Sequence, residues 1–193
     1  RDYYASRGLG DVYKRQVDGA TLTYMKYSSK YDAFLAGKLP NVFNPEFVGG
    51  ALMDLGIYLV YDAIAWFGVP ENAVYLPHFL KSGIDGDGVA RLDYGKFAVT
   101  LITGKTTNSE LPSEIYSGKQ TLMMDNAAEL ETVKLGDQVL STEKLANPME
   151  AEAAYFAKAI VGKDRNAFDK AWQLAKEVHQ VMSILRTSAN LDF

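Results

Sequence analysis

Residues 49–68, GGALMDLGIYLVYDAIAWFG, carry four side chains that could do proton chemistry within an otherwise apolar stretch. Asp54 and Tyr58 are four residues apart, so a helix would place them on one face. Tyr61 and Asp62 follow and would extend that face by another turn. A phenol or a carboxylate can give or take a proton, as general acid and base catalysis requires. The structural alternative is a core tyrosine with a bonded hydroxyl and an aspartate bonded to backbone donors or a lysine.

Gly49 and Gly50 stand immediately before these side chains. A pair of glycines there has two interpretations. It could supply backbone angles that other residues avoid, or it could let a flat ligand approach the chain closely.

The elements that position these groups can be predicted from local pattern. Residues 48–67 predict a buried helix, because they are apolar and free of proline until Gly68 and Pro70 end the run. Residues 20–27 alternate and are rich in β-formers, so they predict a strand. Residues 28–47 contain turn residues and predict a loop with at most a short helix.

The remainder of the chain reads as strands followed by helices. Six short strands are predicted at residues 73–80, 88–94, 97–103, 110–116, 120–125 and 130–135. Pro148–Val161, with Asn147 as N-cap, and residues 167–189 are predicted helices, the second with an apolar face from Trp172 to Leu185. Short gaps between strands favour antiparallel pairing. The predicted fold class is α+β: an open, largely antiparallel mixed β-sheet with helices packed on one face.

The N-terminal end, residues 1–16, differs from the rest. Residues 11–16 are encoded by the string GATGTGTATAAGAGACAG, which resembles a transposon end used as an adapter in sequencing libraries. We therefore expect residues 1–16 to be a disordered artefact and residues 17–193 to form one domain. A lone Gly8-x-Gly10 does not make a dinucleotide fingerprint, which needs a third glycine and a preceding strand.

The composition argues against three classes: nucleic-acid-binding proteins, thiolate metalloproteins and membrane-spanning proteins. The net charge is −4, which argues against nucleic acid as a partner. The chain has no cysteine, which excludes thiolate metal sites and fits a cytoplasmic location. Asp54 and Asp62 interrupt the most apolar run, so a membrane span is not expected.

Other candidate sites are weaker. His78 and His179 have no carboxylate at metal-ligand spacing, so no metal site is predicted. The run Asp85–Gly–Asp–Gly88 lacks the pattern of a calcium loop and is interpreted as a hairpin turn.

The motif NPEFVGGALMDLGIY, followed by FG.P and the strand-rich SGIDGDGVARLDY and SEIYSGKQTLMM, resembles the C-terminal domain of the Gfo/Idh/MocA oxidoreductases. The DLGIY form is most similar to the dimeric dihydrodiol dehydrogenase and glucose–fructose oxidoreductase branches. The likeness runs from about residue 20 to residue 193.

This resemblance implies half of a two-domain enzyme that uses NAD or NADP on a hydroxyl or carbonyl of a sugar, cyclitol or dihydrodiol. It implies that Tyr58 is the acid/base and Asp54 its companion, that Tyr61 and Asp62 contact substrate, and that Gly49 and Gly50 approach the cofactor. A phenol with an ordinary pKa of about 10 needs a nearby positive charge for this task. The family uses a lysine in a Glu-Lys-Pro turn of its nucleotide-binding domain, and neither that turn nor GxGxxG occurs in this chain.

The resemblance therefore predicts that the N-terminal nucleotide-binding domain is absent here and that the chain is inactive by itself. It also predicts a homodimer through the open sheet face. The alternative is a non-catalytic α+β module that uses the same face for self-association or ligand binding.

Overall fold

The computed structural model describes residues 17–125, 130–141 and 147–191. The segment that the sequence assigns to an adapter lies outside these residues, so its assignment stays a prediction. Eight strands form one sheet: β1 (Gly19–Met25), β2 (Asn72–Phe79), β3 (Asp85–Asp93), β4 (Ala98–Gly104), β5 (Ser113–Ser117), β6 (Gln120–Met124), β7 (Val133–Leu135) and β8 (Gln138–Ser141).

The strand order is β2-β3-β4-β1-β5-β6-β7-β8. β1 and β4 run parallel, with Tyr24 opposite Thr103 and Met25 opposite Gly104. The other neighbouring pairs are antiparallel. Because β1 and β4 are parallel, their carboxyl ends meet at one edge of the sheet.

In the described part of the chain, four α-helices accompany the sheet: α1 (Tyr31–Leu35), α2 (Ile57–Phe67), α3 (Pro148–Val161) and α4 (Arg165–Ser188). The side chain of Asn147 caps α3 by accepting from the backbone N–H groups of Met149 and Glu150, with Pro148 in the first turn, as predicted. The loop before the site contains only the short helix α1 and two 3₁₀ turns, Asn41–Phe43 and Pro45–Phe47.

The main core lies between α2, α4 and one face of the sheet. Its fully buried side chains include Leu59, Val60 and Ala63 of α2, Val178, Val181 and Leu185 of α4, and Leu22, Leu92, Leu101 and Ile115 of the strands. The predicted fold class is therefore confirmed: an open mixed sheet carries its helices on one face. A second, smaller core of Phe34, Phe43 and Ile84 lies beneath the loop that leads to the site.

Within the described part of the chain, one helical stretch, Pro45–Phe67, is long and apolar enough to cross a membrane by length and composition alone. Of its most apolar window, 56% is buried inside the structure. Since α2 contributes to the main core, this burial is typical of a core helix.

Two local predictions are wrong. The segment interpreted as a hairpin turn, Asp85–Gly88, belongs to β3, and the turn lies before it, where Leu80 N–H donates to the carbonyl of Ile84. Glycines are needed in this strand because a side chain at position 88 would overlap the ring of Tyr75. Trp172 is 57% exposed, so the apolar face of α4 packs on the core from Leu174 onward and is fully buried only from Val178.

Candidate active site

The predicted site helix begins over the carboxyl ends of β1 and β4. Its first turn, Leu52–Gly56, is a π-helix that continues directly into α2. The hydroxyl of Thr103, near the end of β4, donates to the carbonyl of Ala51 at 3.3 Å and ties the helix start to the strand. π turns are rare and occur frequently at functional sites.

Asp54, Tyr58 and Tyr61 form one stripe along this helix. The Asp54 side chain is 45% exposed and Tyr58 is 39% exposed. Tyr61 is half-buried and packs against the main core. The ring of Tyr24, near the end of β1, meets the ring of Tyr58 edge-on, with 5.8 Å between centroids. The phenol of Tyr58 therefore lies at the same sheet edge where the parallel strands end.

Asp62 differs from these residues in being buried. Tyr61 and Asp62 follow Tyr58 by three and four residues, so they lie on either side of its line along the helix, and Asp62 is on the side that is shielded from solvent. Contact between Asp62 and a substrate remains a prediction, but this placement favours a structural role.

Lys105 completes the cluster, and it is not among the residues predicted from the sequence. Its side chain is only 1% exposed, yet its ammonium donates to Asp54 Oδ2 at 2.8 Å and to the carbonyl of Val42 at 2.7 Å. It also stands 4.9 Å from the ring centroid of Phe43. Lys105 thus brings a positive charge to the carboxylate that lies one turn before Tyr58. The available signal was a lysine directly after an apolar strand.

Gly49 and Gly50 pack tightly against the chain itself. A Cβ on Gly49 would lie 2.9 Å from the backbone of Val42. Gly50 has φ +127°, and a Cβ there would overlap Oδ1 of Asp85. Cofactor contact by these glycines stays a prediction, and the observed contacts explain both of them without a ligand.

Asp85 anchors the helix start from β3. It is fully buried, and its Oδ2 accepts from the backbone N–H of Leu52 at 2.7 Å and from the hydroxyl of Tyr75 at 2.8 Å. Burial raises the pKa of the Asp85 carboxyl, against the lowering effect of these two donors and of the charge on Lys105. Burial and the neighbouring carboxylate raise the pKa of Tyr75 well above its usual range, so Tyr75 remains a donor.

The start of this helix does not fit a dinucleotide pyrophosphate. Such a group binds free backbone N–H groups at a helix N-terminus. Here the N–H of Leu52 already binds the buried carboxylate of Asp85, which would repel a phosphate. The start of this helix therefore leaves no place for a pyrophosphate.

In the described residues, no three His, Asp or Glu side chains lie close enough together to hold a metal ion. His78 instead pairs with Asp87 at 2.9 Å between β2 and β3.

Comparison with known proteins shows that the chain is similar to oxidoreductases. No family model matches it. It is 34% identical over 165 residues to the scyllo-inositol 2-dehydrogenase (NADP(+)) IolU of Bacillus subtilis (strain 168), an alignment that covers 81% of this chain and 50% of IolU. It is 38% identical over 142 residues to the uncharacterized oxidoreductase YgjR of Escherichia coli (strain K12), covering 71% of this chain and 43% of YgjR.

Both relatives are oxidoreductases of the Gfo/Idh/MocA type, so the resemblance of this chain to that family is confirmed. Among solved structures, the 3-ketoreductase KijD10 of Actinomadura kijaniata, in complex with TDP-benzene and NADP, superposes with a TM-score of 0.67 at 14% identity. That superposition covers 97% of this chain and 58% of KijD10, and shows a shared fold. The chain spans about half the length of the curated relatives that it matches. Within the Gfo/Idh/MocA oxidoreductases it corresponds to the C-terminal domain.

Proposed function

We propose that this chain is the substrate-binding and acid/base half of an NAD(P)-dependent oxidoreductase that acts on a hydroxyl or carbonyl of a sugar, cyclitol or dihydrodiol. The observation that carries the proposal is the exposed phenol of Tyr58, one turn after an Asp54 carboxylate that a buried lysine holds in place. The name of IolU, an NADP(+)-dependent inositol dehydrogenase, supports this class of cofactor and substrate.

In this proposal Tyr58 handles the proton and Asp54 orients the site. Oxidation of an alcohol removes a hydride from carbon, which a bound nicotinamide would accept, and the hydroxyl proton must go to a base. Tyr58 receives that proton at its Oη atom, and returns one in the reverse reaction. Tyr61 lies on the same stripe and is assigned to the substrate.

A cofactor-linked assay tests this function. A full-length protein that carries this chain is incubated with NADP or NAD and with scyllo-inositol, glucose or a trans-dihydrodiol, and reduced nicotinamide is followed by its absorbance. We expect turnover with at least one of these polyols and none with a simple secondary alcohol such as 2-propanol. The 193-residue chain alone is expected to be inactive, because neither GxGxxG nor the Glu-Lys-Pro turn occurs in its sequence. No turnover of any polyol by the full-length protein would refute the proposed substrate class.

The open face of the sheet supports a homodimer, the second part of the proposal. Leu76, Val89 and Ile102 lie side by side across β2, β3 and β4. Leu76 is 68% exposed in the single chain. Contiguous apolar side chains on an uncovered sheet face are typical of an interaction surface. The same three side chains also favour the alternative function, a non-catalytic module that associates with itself through this face.

Leu76→Glu is expected to shift a dimer toward monomer by at least about tenfold in dissociation constant, since it would bury a charge at the interface. Light scattering after size exclusion measures the mass. Leu35→Glu, at an exposed leucine of α1 away from this face, is the control and should leave the mass unchanged. Equal masses for the Leu76 variant and the parent would contradict the proposed interface.

A further inference from the structure

Lys105 is a buried cation whose surroundings are fixed on three sides. The Val42 carbonyl and the Phe43 ring belong to the loop before the site, and Asp54 belongs to the π turn. A buried ammonium without a negative partner is strongly unfavourable. Asp54 is therefore the group that balances Lys105.

The pair is asymmetric, because the Lys105 side chain is 1% exposed and the Asp54 side chain is 45% exposed. The lysine is the fixed partner and the carboxylate reaches the opening of the site. An exposed carboxylate would otherwise sample several rotamers. Its hydrogen bond to a buried ammonium restricts it to one orientation beside Tyr58.

We propose that Lys105 is a positioning residue, which holds the Asp54 carboxylate in one orientation and offsets its negative charge next to Tyr58. This inference rests on the proposed function, since it assigns Lys105 to the same proton transfer. Lys105 acts through Asp54 and is not placed in contact with substrate.

The proposal predicts opposite electrostatic effects for the two partners. Without Lys105, the bare Asp54 carboxylate disfavours a negative charge on Tyr58. Without the Asp54 charge, Lys105 favours it. Among the described residues, the other ionisable groups beside this cluster include Tyr24 of β1, whose ring meets that of Tyr58, and Asp85 of β3 with Tyr75 of β2, which bond to each other. These side chains are present in both variants, although Lys105→Met also removes the charge that lowers the pKa of Asp85.

The test is the pH dependence of kcat for scyllo-inositol oxidation with saturating NADP in a full-length protein that carries this chain. Lys105→Met is expected to raise the midpoint of the acidic limb by about one pH unit, and Asp54→Asn to lower it by about one unit. Lys119→Met is the matched control and should leave the profile unchanged. Lys119 is exposed in the turn between β5 and β6, near the amino end of β1 and thus at the opposite edge of the sheet.

Opposite shifts support the proposal, and an acidic limb that moves in neither variant overturns it. If Lys105→Met does not fold, the Lys105→Met/Asp54→Asn double variant, which leaves no buried charge unpaired, is compared with Asp54→Asn. A higher midpoint in the double variant then supports the proposal, and equal midpoints overturn it. Tyr58→Phe separates this inference from the proposed function. If Tyr58→Phe turns over as fast as the wild type, the proposed function itself is refuted. If Tyr58→Phe is inactive but the acidic limb does not move in the Lys105 and Asp54 variants, only the role of Lys105 is refuted.

Discussion

Replacing Tyr58 with Phe in a full-length protein that carries this chain is expected to lower kcat by about 10²–10⁴-fold, the usual contribution of a general acid or base. The substitution removes only the hydroxyl. The ring that meets Tyr24 edge-on remains, so the site helix should keep its position. Because the start of the site helix leaves no place for the nucleotide phosphates, KM for NADP should change by less than about threefold.

Steady-state kinetics at saturating NADP measures this effect, and Tyr116→Phe provides the matched control. The hydroxyl of Tyr116 bonds to Thr21 and Glu114 at the other edge of the sheet. Its loss should therefore leave kcat near the parent value. If Tyr58→Phe turned over as fast as Tyr116→Phe, the acid/base assignment would be wrong.

The fold could be predicted largely from local pattern. Alternation and turn residues located the strands, and the Asn147–Pro148 start fixed one end of α3. β8 was missed because its four residues are too short to show a period. The π turn was missed as well, since the apolar pattern of residues 52–56 fits a helix of either winding.

The composition of the site could be predicted only in part. Asp54 and Tyr58 share a helix, so their spacing in the sequence reports their spacing in space. Lys105 lies 51 positions beyond Asp54 and reaches it only because β4 pairs in parallel with β1. Short-range periodicity carries no information about that pairing, and two antiparallel strands intervene along the chain.

The role of Asp85 illustrates the same limit. Its neighbours in sequence, Gly86, Asp87 and Gly88, have the composition of a turn, yet the strand continues through them. What makes this region a strand is tertiary: the carboxylate of Asp85 bonds to Leu52 at the helix start, and the ring of Tyr75 occupies the space over Gly88. A buried carboxylate thereby joins β3 to the helix that carries the proposed acid/base.

Gly50→Ala is therefore expected to be the most destabilising single substitution at the site, with a loss of about 3–5 kcal/mol in the free energy of unfolding. An alanine at φ +127° costs about 1–2 kcal/mol by itself. Its methyl group would also overlap Oδ1 of Asp85 and lie 3.1 Å from Cγ, which forces the carboxylate away from Leu52 and Tyr75. The loss of one of these two hydrogen bonds to the buried carboxylate costs about 1.5–3 kcal/mol.

Urea denaturation of the Gly50→Ala variant and its parent measures this loss of unfolding free energy. Gly37→Ala separates the backbone cost of a positive φ from the overlap with Asp85. Gly37 has φ +85° and nothing within 4 Å of the methyl group that alanine would add, so it carries the backbone cost without the overlap. A Gly50→Ala/Asp85→Ala double variant completes the comparison. If the overlap dominates, Gly50→Ala in the Asp85→Ala background should cost no more than Gly37→Ala in the parent. Should the cost of Gly50→Ala stay the same in both backgrounds, the carboxylate of Asp85 would not be what holds the start of the site helix.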